Sequence, residues 1–205
     1  MEPGKPCAGK PPARFDEGSE AEADAAPCLP PQPLLAYSTR PLGPRRMSST
    51  HLETKSLKLV AQTREEARAS IEQMQPHERA QVSPAWLALL DGSSSIDPWI
   101  HGFVLLHRAT ESVIGKCGFT GPPGADGAVE IAYGVLPEHQ GKGYATEAAA
   151  ALVSYAFSHE QVRVVRAHTF QETNASTRVL AKCGFRRVGE IVDPNDGLVW
   201  RWETP

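Results

Sequence analysis

From residue 51 onward the apolar residues fall into regular patterns, and before it they do not. Leu57-Lys58-Leu59-Val60 alternates as a short strand. Thr63-Arg64-Glu65-Glu66 has the form of a capping box, opening a helix with Ala67, Ser70, Ile71 and Met74 on one face. Ser83-Pro84 starts a second helix, Pro84 to Leu90, which Asp91-Gly92 stops. Trp99 to His107 and Ser112 to Phe119 read as strands joined by a polar turn, and a loop at 121–127 leads to a third, Val129 to Leu136. Three strands in succession predict an antiparallel meander. A glycine-rich loop, a helix over 144–158 with the stripe Ala148, Ala151, Leu152 and Tyr155, a strand at 163–169 and a helix at 175–183 follow. Arg186 to Ile191 and Leu198 to Trp202 predict a closing hairpin around Pro194-Asn195-Asp196-Gly197. The order β-α-α-β-β-β-α-β-α-β-β predicts an α/β fold, a mixed and mostly antiparallel central sheet with helices on both faces.

Composition divides the chain of 205 residues in two. Residues 1–50 hold ten of its eighteen prolines, many alanines and the acidic cluster Asp16, Glu17, Glu20, Glu22 and Asp24, with no periodic apolar pattern, so they predict a disordered tail ahead of one domain at 51–205. No apolar run approaches a secretory signal or a membrane span, which predicts a soluble, cytoplasmic protein with no membrane partner. A net charge of −3 gives no basic face for nucleic acid. Cys7, Cys28, Cys117 and Cys183 are widely spaced, without a C-x-x-C pair or a histidine at ligand spacing, and no metal is expected.

The chemistry concentrates after the third meander strand. Gly141 and Gly143 let the backbone turn tightly, and the alanine-rich helix that follows turns its unpaired first N–H groups toward the same point, so the loop is suited to an anion such as a phosphate. The P-loop pattern fails because Gly141-Lys142 is followed by Gly143, and no glycine stands five residues before Gly141. The dinucleotide pattern fails because Thr146 stands where a third glycine is needed. What fits is Gln-x-x-Gly-x-Ala, Gln140 through Ala145, directly after an apolar strand. This resembles the acetyl-CoA pyrophosphate loop of the GNAT family of N-acetyltransferases.

Two flanking segments extend the resemblance over residues 51–203. Leu52 through Leu59 is similar to the L-x-T-x-R-L-x-L opening of the RimJ/RimL-type branch, with Ser56 in place of the usual arginine. Asn174 through Phe185 is similar to that branch's Asn-x-x-Ser-x-x-x-Leu-x-Lys-x-Gly-Phe segment, although the asparagine lies two residues before Ser176 rather than three. The resemblance implies an acyl-CoA N-acyltransferase fold with acetyl-CoA as cosubstrate. Its pantetheine arm would lie along Val135 and Leu136, and its pyrophosphate on the N–H groups of Gln140, Gly141, Lys142, Gly143, Tyr144 and Ala145, at the helix start that includes Thr146. The Lys142 side chain either contacts phosphate or is solvated. Asn174 is expected to cap the 175–183 helix and to reach the cofactor.

The reaction implied is direct attack of a primary amine on the thioester in a ternary complex. Losing a proton at pH 7 costs a lysine-like amine about 4.6 kcal/mol and an α-amine only about 1.1 kcal/mol, so a weak base suffices for the latter. Glu130 is the candidate base, against a plain surface role. Many relatives protonate the departing thiolate with a tyrosine where this chain has Leu180, which leaves Ser176 as the candidate donor, or else as a helix cap. His101, His107 and His168 are titratable strand residues, and Trp86 and Trp99 stand near the expected acceptor site or in the core. The acceptor is a protein N-terminal α-amine or a small-molecule amine, and the resemblance also allows a homodimer. The alternative from another class is a noncatalytic acyl-CoA-binding or regulatory module.

Overall fold

The computed structural model describes residues 51–79, 82–193 and 197–205. The expected tail at 1–50, Cys7, Cys28 and the turn residues Pro194, Asn195 and Asp196 lie outside the described residues. Eight strands form one sheet: β1 (His51–Glu53), β2 (Leu57–Ala61), β3 (Phe103–His107), β4 (Val113–Phe119), β5 (Ala128–Val135), β6 (Val164–Phe170), β7 (Arg186–Asp193) and β8 (Gly197–Thr204). Their spatial order is β1-β2-β3-β4-β5-β6-β8-β7. Every neighbouring pair is antiparallel except β5–β6, which is parallel because a helix crosses between them. The meander is therefore β3-β4-β5, as its short connections required, and it continues onto β2 and β1.

Among the described residues six α-helices connect the strands: α1 (Arg64–Glu72), α2 (Pro76–Arg79), α3 (Pro84–Gly92), α4 (Pro98–His101), α5 (Tyr144–Phe157) and α6 (Ala175–Lys182). The capping box at Thr63 is formed, with Glu66 N–H donating to the Thr63 hydroxyl and Thr63 N–H to the Glu66 carboxylate. Two short elements, β1 and α2, are additional to the expected order, and one strand boundary is displaced into a helix. Trp99 to His101 are not the start of a strand but the body of α4, because Asp97 accepts from Trp99 N–H and Pro98 occupies the first helical turn. Gly102, at φ 66°, ends that turn and lets β3 begin at Phe103.

The core sits between the sheet and α5. Leu57, Leu59, Phe103, Leu105, Phe119, Ile131 and Val165 meet Ala148, Ala149, Leu152 and Ala156 of the helix. The small alanines let α5 lie close to the strands. A second cluster, Ala67, Met74, Val82, Trp86, Leu90 and Ile100, gathers α1, α3 and α4. Trp99 joins the two, its ring tilted against Phe119 at 4.5 Å and Tyr155 at 5.3 Å. Trp86 is buried, with its indole N–H donating to the Ile100 carbonyl at 3.0 Å. Both tryptophans thus have packing roles.

Candidate active site

The parallel pairing of β5 and β6 is brief. Ala128, Val129 and Glu130 pair with Val164, Val165 and Arg166, whereas β4 pairs with β5 from Ile131 through Val135. Beyond Glu130 the two parallel strands no longer form a ladder, and a fork opens with Glu130 at its vertex. Peptide orientation follows from the β4 side. Thr120 N–H donates to the Glu130 carbonyl and Leu136 N–H to the Ile114 carbonyl, so even-numbered residues turn toward β4, and Ile131, Tyr133 and Val135 turn toward the fork. The backbone of Val135, like those of Ile131 and Tyr133, therefore faces the fork. Leu136 has both backbone groups engaged within the protein, its carbonyl accepting from His139 N–H at 2.9 Å.

At the wide end stands the glycine loop. A 3-10 turn at Pro137–His139 redirects the chain, and the Gln140 side chain reaches back to donate to the Val135 carbonyl at 2.9 Å. Gly141 and Gly143 both adopt positive φ, 74° and 87°, where a β-carbon would be strained although it would touch nothing within 4 Å. Gly143 is the N-cap of α5 and supplies no side-chain oxygen, so the first N–H groups of this helix of 14 residues receive no side-chain cap. Gln140, Gly141, Lys142 and Gly143 are exposed and Tyr144, Ala145 and Thr146 partly so. The Lys142 ammonium curls back onto the Glu138 carbonyl at 3.0 Å.

This helix start is braced from the far side of the sheet. Glu147 accepts from Ser56 N–H at 2.5 Å, which ties the first turn of α5 to the β1–β2 connection. Burial pushes the Glu147 carboxyl upward, but hydrogen bonds from Thr54 and from the amides of Ser56 and Leu57 outweigh it and hold the group below its ordinary value. The His107 ring packs edge-on against Tyr144, 5.6 Å between centroids. His107 thus supports the loop, while its Nδ1 contacts the Thr110 hydroxyl.

The vertex carries a hydrogen-bonded pair that pattern reading did not assemble. Glu130 Oε1 lies 2.8 Å from His168 Nδ1, the side chains 28% and 14% exposed, with His168 two residues beyond the last β6 ladder position. Beside them Arg166 pairs with Asp126 at 2.9 Å and with Glu203 at 2.8 Å. His101 is elsewhere, inside the protein; burial pushes its imidazole down, and its Nδ1 accepts from Asp97 N–H.

Across the fork, α6 begins with its own cap. The Asn174 side chain accepts from Thr177 N–H at 3.1 Å, and Asn174 N–H donates to the Thr177 hydroxyl at 3.0 Å. Ser176 is therefore not the cap of this helix. It lies in the first turn, where its carbonyl accepts from the Tyr133 hydroxyl at 3.4 Å. Tyr133 is the residue that pattern reading passed over, because alternation marks it only as a strand position. Burial pushes its phenol well up and keeps it protonated. Leu180, where the resemblance places a tyrosine, is fully buried.

Cys117 and Cys183 are both raised by burial, which keeps them as thiols, and Cys183 Sγ contacts the Thr146 carbonyl. Among the described residues no group of three His, Cys, Asp or Glu is placed to hold a metal ion, and no described helix is long and apolar enough to cross a membrane.

The family model for the Acetyltransferase (GNAT) domain matches residues 45–186. The uncharacterized N-acetyltransferase YjdG of Bacillus subtilis is 32% identical over 95 residues, 46% of this chain and 54% of YjdG, so the chain spans about half the length of that curated relative. A GNAT-family acetyltransferase structure from Bacillus anthracis superposes with a TM-score of 0.56 at 18% identity, covering 76% of this chain and 98% of that one. RimL, a ribosomal L7/L12 α-N-protein acetyltransferase solved with coenzyme A, superposes with a TM-score of 0.56 at 14% identity, covering 76% and 97%.

Proposed function

The chain belongs to the GNAT acetyltransferase family, and from that premise we propose that it is an acetyl-CoA-dependent N-acetyltransferase of the RimJ/RimL type acting on a primary amine. The observation that carries the proposal is the fork between β5 and β6, with an uncapped, glycine-led helix start at its open end and a carboxylate at its vertex. An extended pantetheine arm fits a slot lined by strand backbone, with Val135 on its wall. A pyrophosphate fits the amides of Gln140 to Ala145, where the positive end of α5, Thr146 included, supports it. Lys142 then acts as a nearby cation rather than a fixed ligand.

The amine attacks the thioester carbon, the carbon–sulfur bond breaks, and the amine's proton and the thiolate's new proton are handled by the protein. Glu130 takes the first, directly or through water. Its position at the vertex, partly exposed, suits that task. Ser176 and the protonated phenol of Tyr133 stand together for the second. No covalent acyl-enzyme is needed, and neither the buried Cys117 thiol nor the partly buried Cys183 thiol is poised to form one.

A protein N-terminus is the favoured acceptor class, because the α-amine demands the least of a single weak base. The test is release of coenzyme A thiol over a panel of N-terminal peptides, polyamines, amino acids and aminoglycosides, beside Glu130→Gln and Ser176→Ala. Turnover on peptides that falls by roughly 10²- to 10⁴-fold in Glu130→Gln is expected. Heat of acetyl-CoA binding without turnover on any amine would instead make the protein a noncatalytic acyl-CoA module.

A further inference from the structure

The pair at the fork vertex has a defined proton arrangement. His168 Nε2 is hidden from solvent and has no hydrogen-bond partner among the described residues, while Nδ1 faces Glu130 Oε1 at 2.8 Å. An imidazolium would bury an N–H at Nε2 with no acceptor, at the full desolvation cost of a charged donor. A neutral ring with its proton on Nε2 would bury the same unmet donor and set the Nδ1 lone pair against a carboxylate oxygen. The neutral ring protonated at Nδ1 donates to the carboxylate and leaves only an acceptor lone pair unmet at Nε2, the least costly of the three arrangements.

The neighbouring charges do not alter this arrangement. On the same face, Arg166 is held by Asp126 and Glu203, and Arg201, directly across from His168 on β8, is held by Glu203 at 2.5 Å. These four groups neutralise one another. Glu130 and His168 are left as a separate couple, one from each arm of the fork.

We infer that His168 is a positioning residue: as the neutral Nδ1–H tautomer it clamps one oxygen of Glu130, spans the fork at its vertex, and leaves Oε2 to receive the amine's proton. This rests on the reading of Glu130 as the base. His168 itself takes no proton from the acceptor, because Nε2 is shut away from anything bound in the fork. The clamp removes the rotational freedom of the carboxylate before the amine arrives, which is the role an orienting partner plays beside any catalytic base.

The test pairs a spectroscopic readout with kinetics on the full chain. In the 15N NMR spectrum at neutral pH, with Glu130→Gln as a control and His168→Asn to assign the signal, His168 shows a protonated Nδ1 and an unprotonated Nε2. His168→Phe lowers kcat on the order of tenfold or more, the worth of a hydrogen bond to a charged group, with KM for acetyl-CoA little changed. His168→Asn, which keeps an N–H donor near the Nδ1 position, restores most of the rate. An imidazolium or Nε2–H signal overturns the inference, as do equal losses in the two variants or a loss confined to KM. If Glu130→Gln is inactive while His168→Phe keeps the full rate, the clamp fails and the base stands. If Glu130→Gln keeps the full rate, the base reading fails and takes the kinetic role of the clamp with it. Should His168→Phe fail to fold, the tautomer of the wild-type ring decides.

Discussion

The two helices that flank the fork begin in opposite ways. The α6 helix closes its own first turn, with Asn174 and Thr177 exchanging side-chain and backbone hydrogen bonds. The α5 helix starts on a glycine at positive φ, with no side chain to satisfy its leading amides. The same contrast runs along β6. Toward β8 it is paired over six positions and reinforced by Arg166–Glu203 and by Trp202 Nε1 donating to the Thr169 hydroxyl. Toward β5 it is paired over three. The closed starts and edges hold the fold together, and under the function proposed above the open ones would present backbone polar groups to a ligand.

That contrast can be broken where it is sharpest. Gly143→Val places a branched side chain where the backbone is left-handed, costing about 1–2 kcal/mol of stability. It also crowds the approach of a phosphate, so the dissociation constant for acetyl-CoA should rise on the order of a hundredfold. Calorimetry that found unchanged affinity would remove the helix start from the site.

Lys116 offers the opposite separation, stability without binding. It stands mid-β4, opposite Val104 and Gly134, only 8% exposed, and burial pushes its amine down to about 8. Below that pH the lysine is protonated in both folded and unfolded chains, and the fold carries the whole cost of a buried charge. The cost is relieved as pH rises from about 8 toward the unfolded value near 10.4, so native stability climbs through that window. Lys116→Met should add on the order of 2 kcal/mol at pH 7 and abolish the climb, with acetyl-CoA affinity unchanged. Denaturant titrations at pH 7 and pH 9.5 check both.

Asn174→Ala tests the closed start. Stability should fall by about 1 kcal/mol while affinity for acetyl-CoA stays within about twofold, because the side chain serves the cap. A tenfold loss of affinity would show that α6 contributes to the cofactor as α5 does. The smallest effect belongs to Glu203. The Arg166 guanidinium holds its carboxyl below the ordinary range, with Arg201 adding to this, so its contribution is present above the unfolded value near 4.3 and lost as pH falls through the folded one. Glu203→Gln should flatten the acid side of the stability profile by up to about 1 kcal/mol, less in high salt.

Much of this was legible in the chain before any coordinates. The glycine loop could be read because its meaning is local: Gly141 and Gly143, the strand before and the alanines after lie within one short segment. The capping box at Thr63 and the cap at Asn174 are equally local. Trp99 misled, since an apolar run beside a strand hides the Asp97-Pro98 signal that makes a helical turn.

Sequence alone determined most of the elements, their order from β2 onward apart from the short helices α2 and α4, and the place of the glycine loop, because those depend on residues a few positions apart. It also supplied Glu130, but as an isolated carboxylate. Tertiary structure decided where the β5–β6 ladder stops, that β8 rather than β7 lies beside β6, that Tyr133 meets Ser176 and that Glu130 meets His168, 38 residues away. An alternating pattern says which face a strand residue points to and nothing about which neighbour waits there, since that is set by register across a crossover and by the twist that lets two parallel strands diverge.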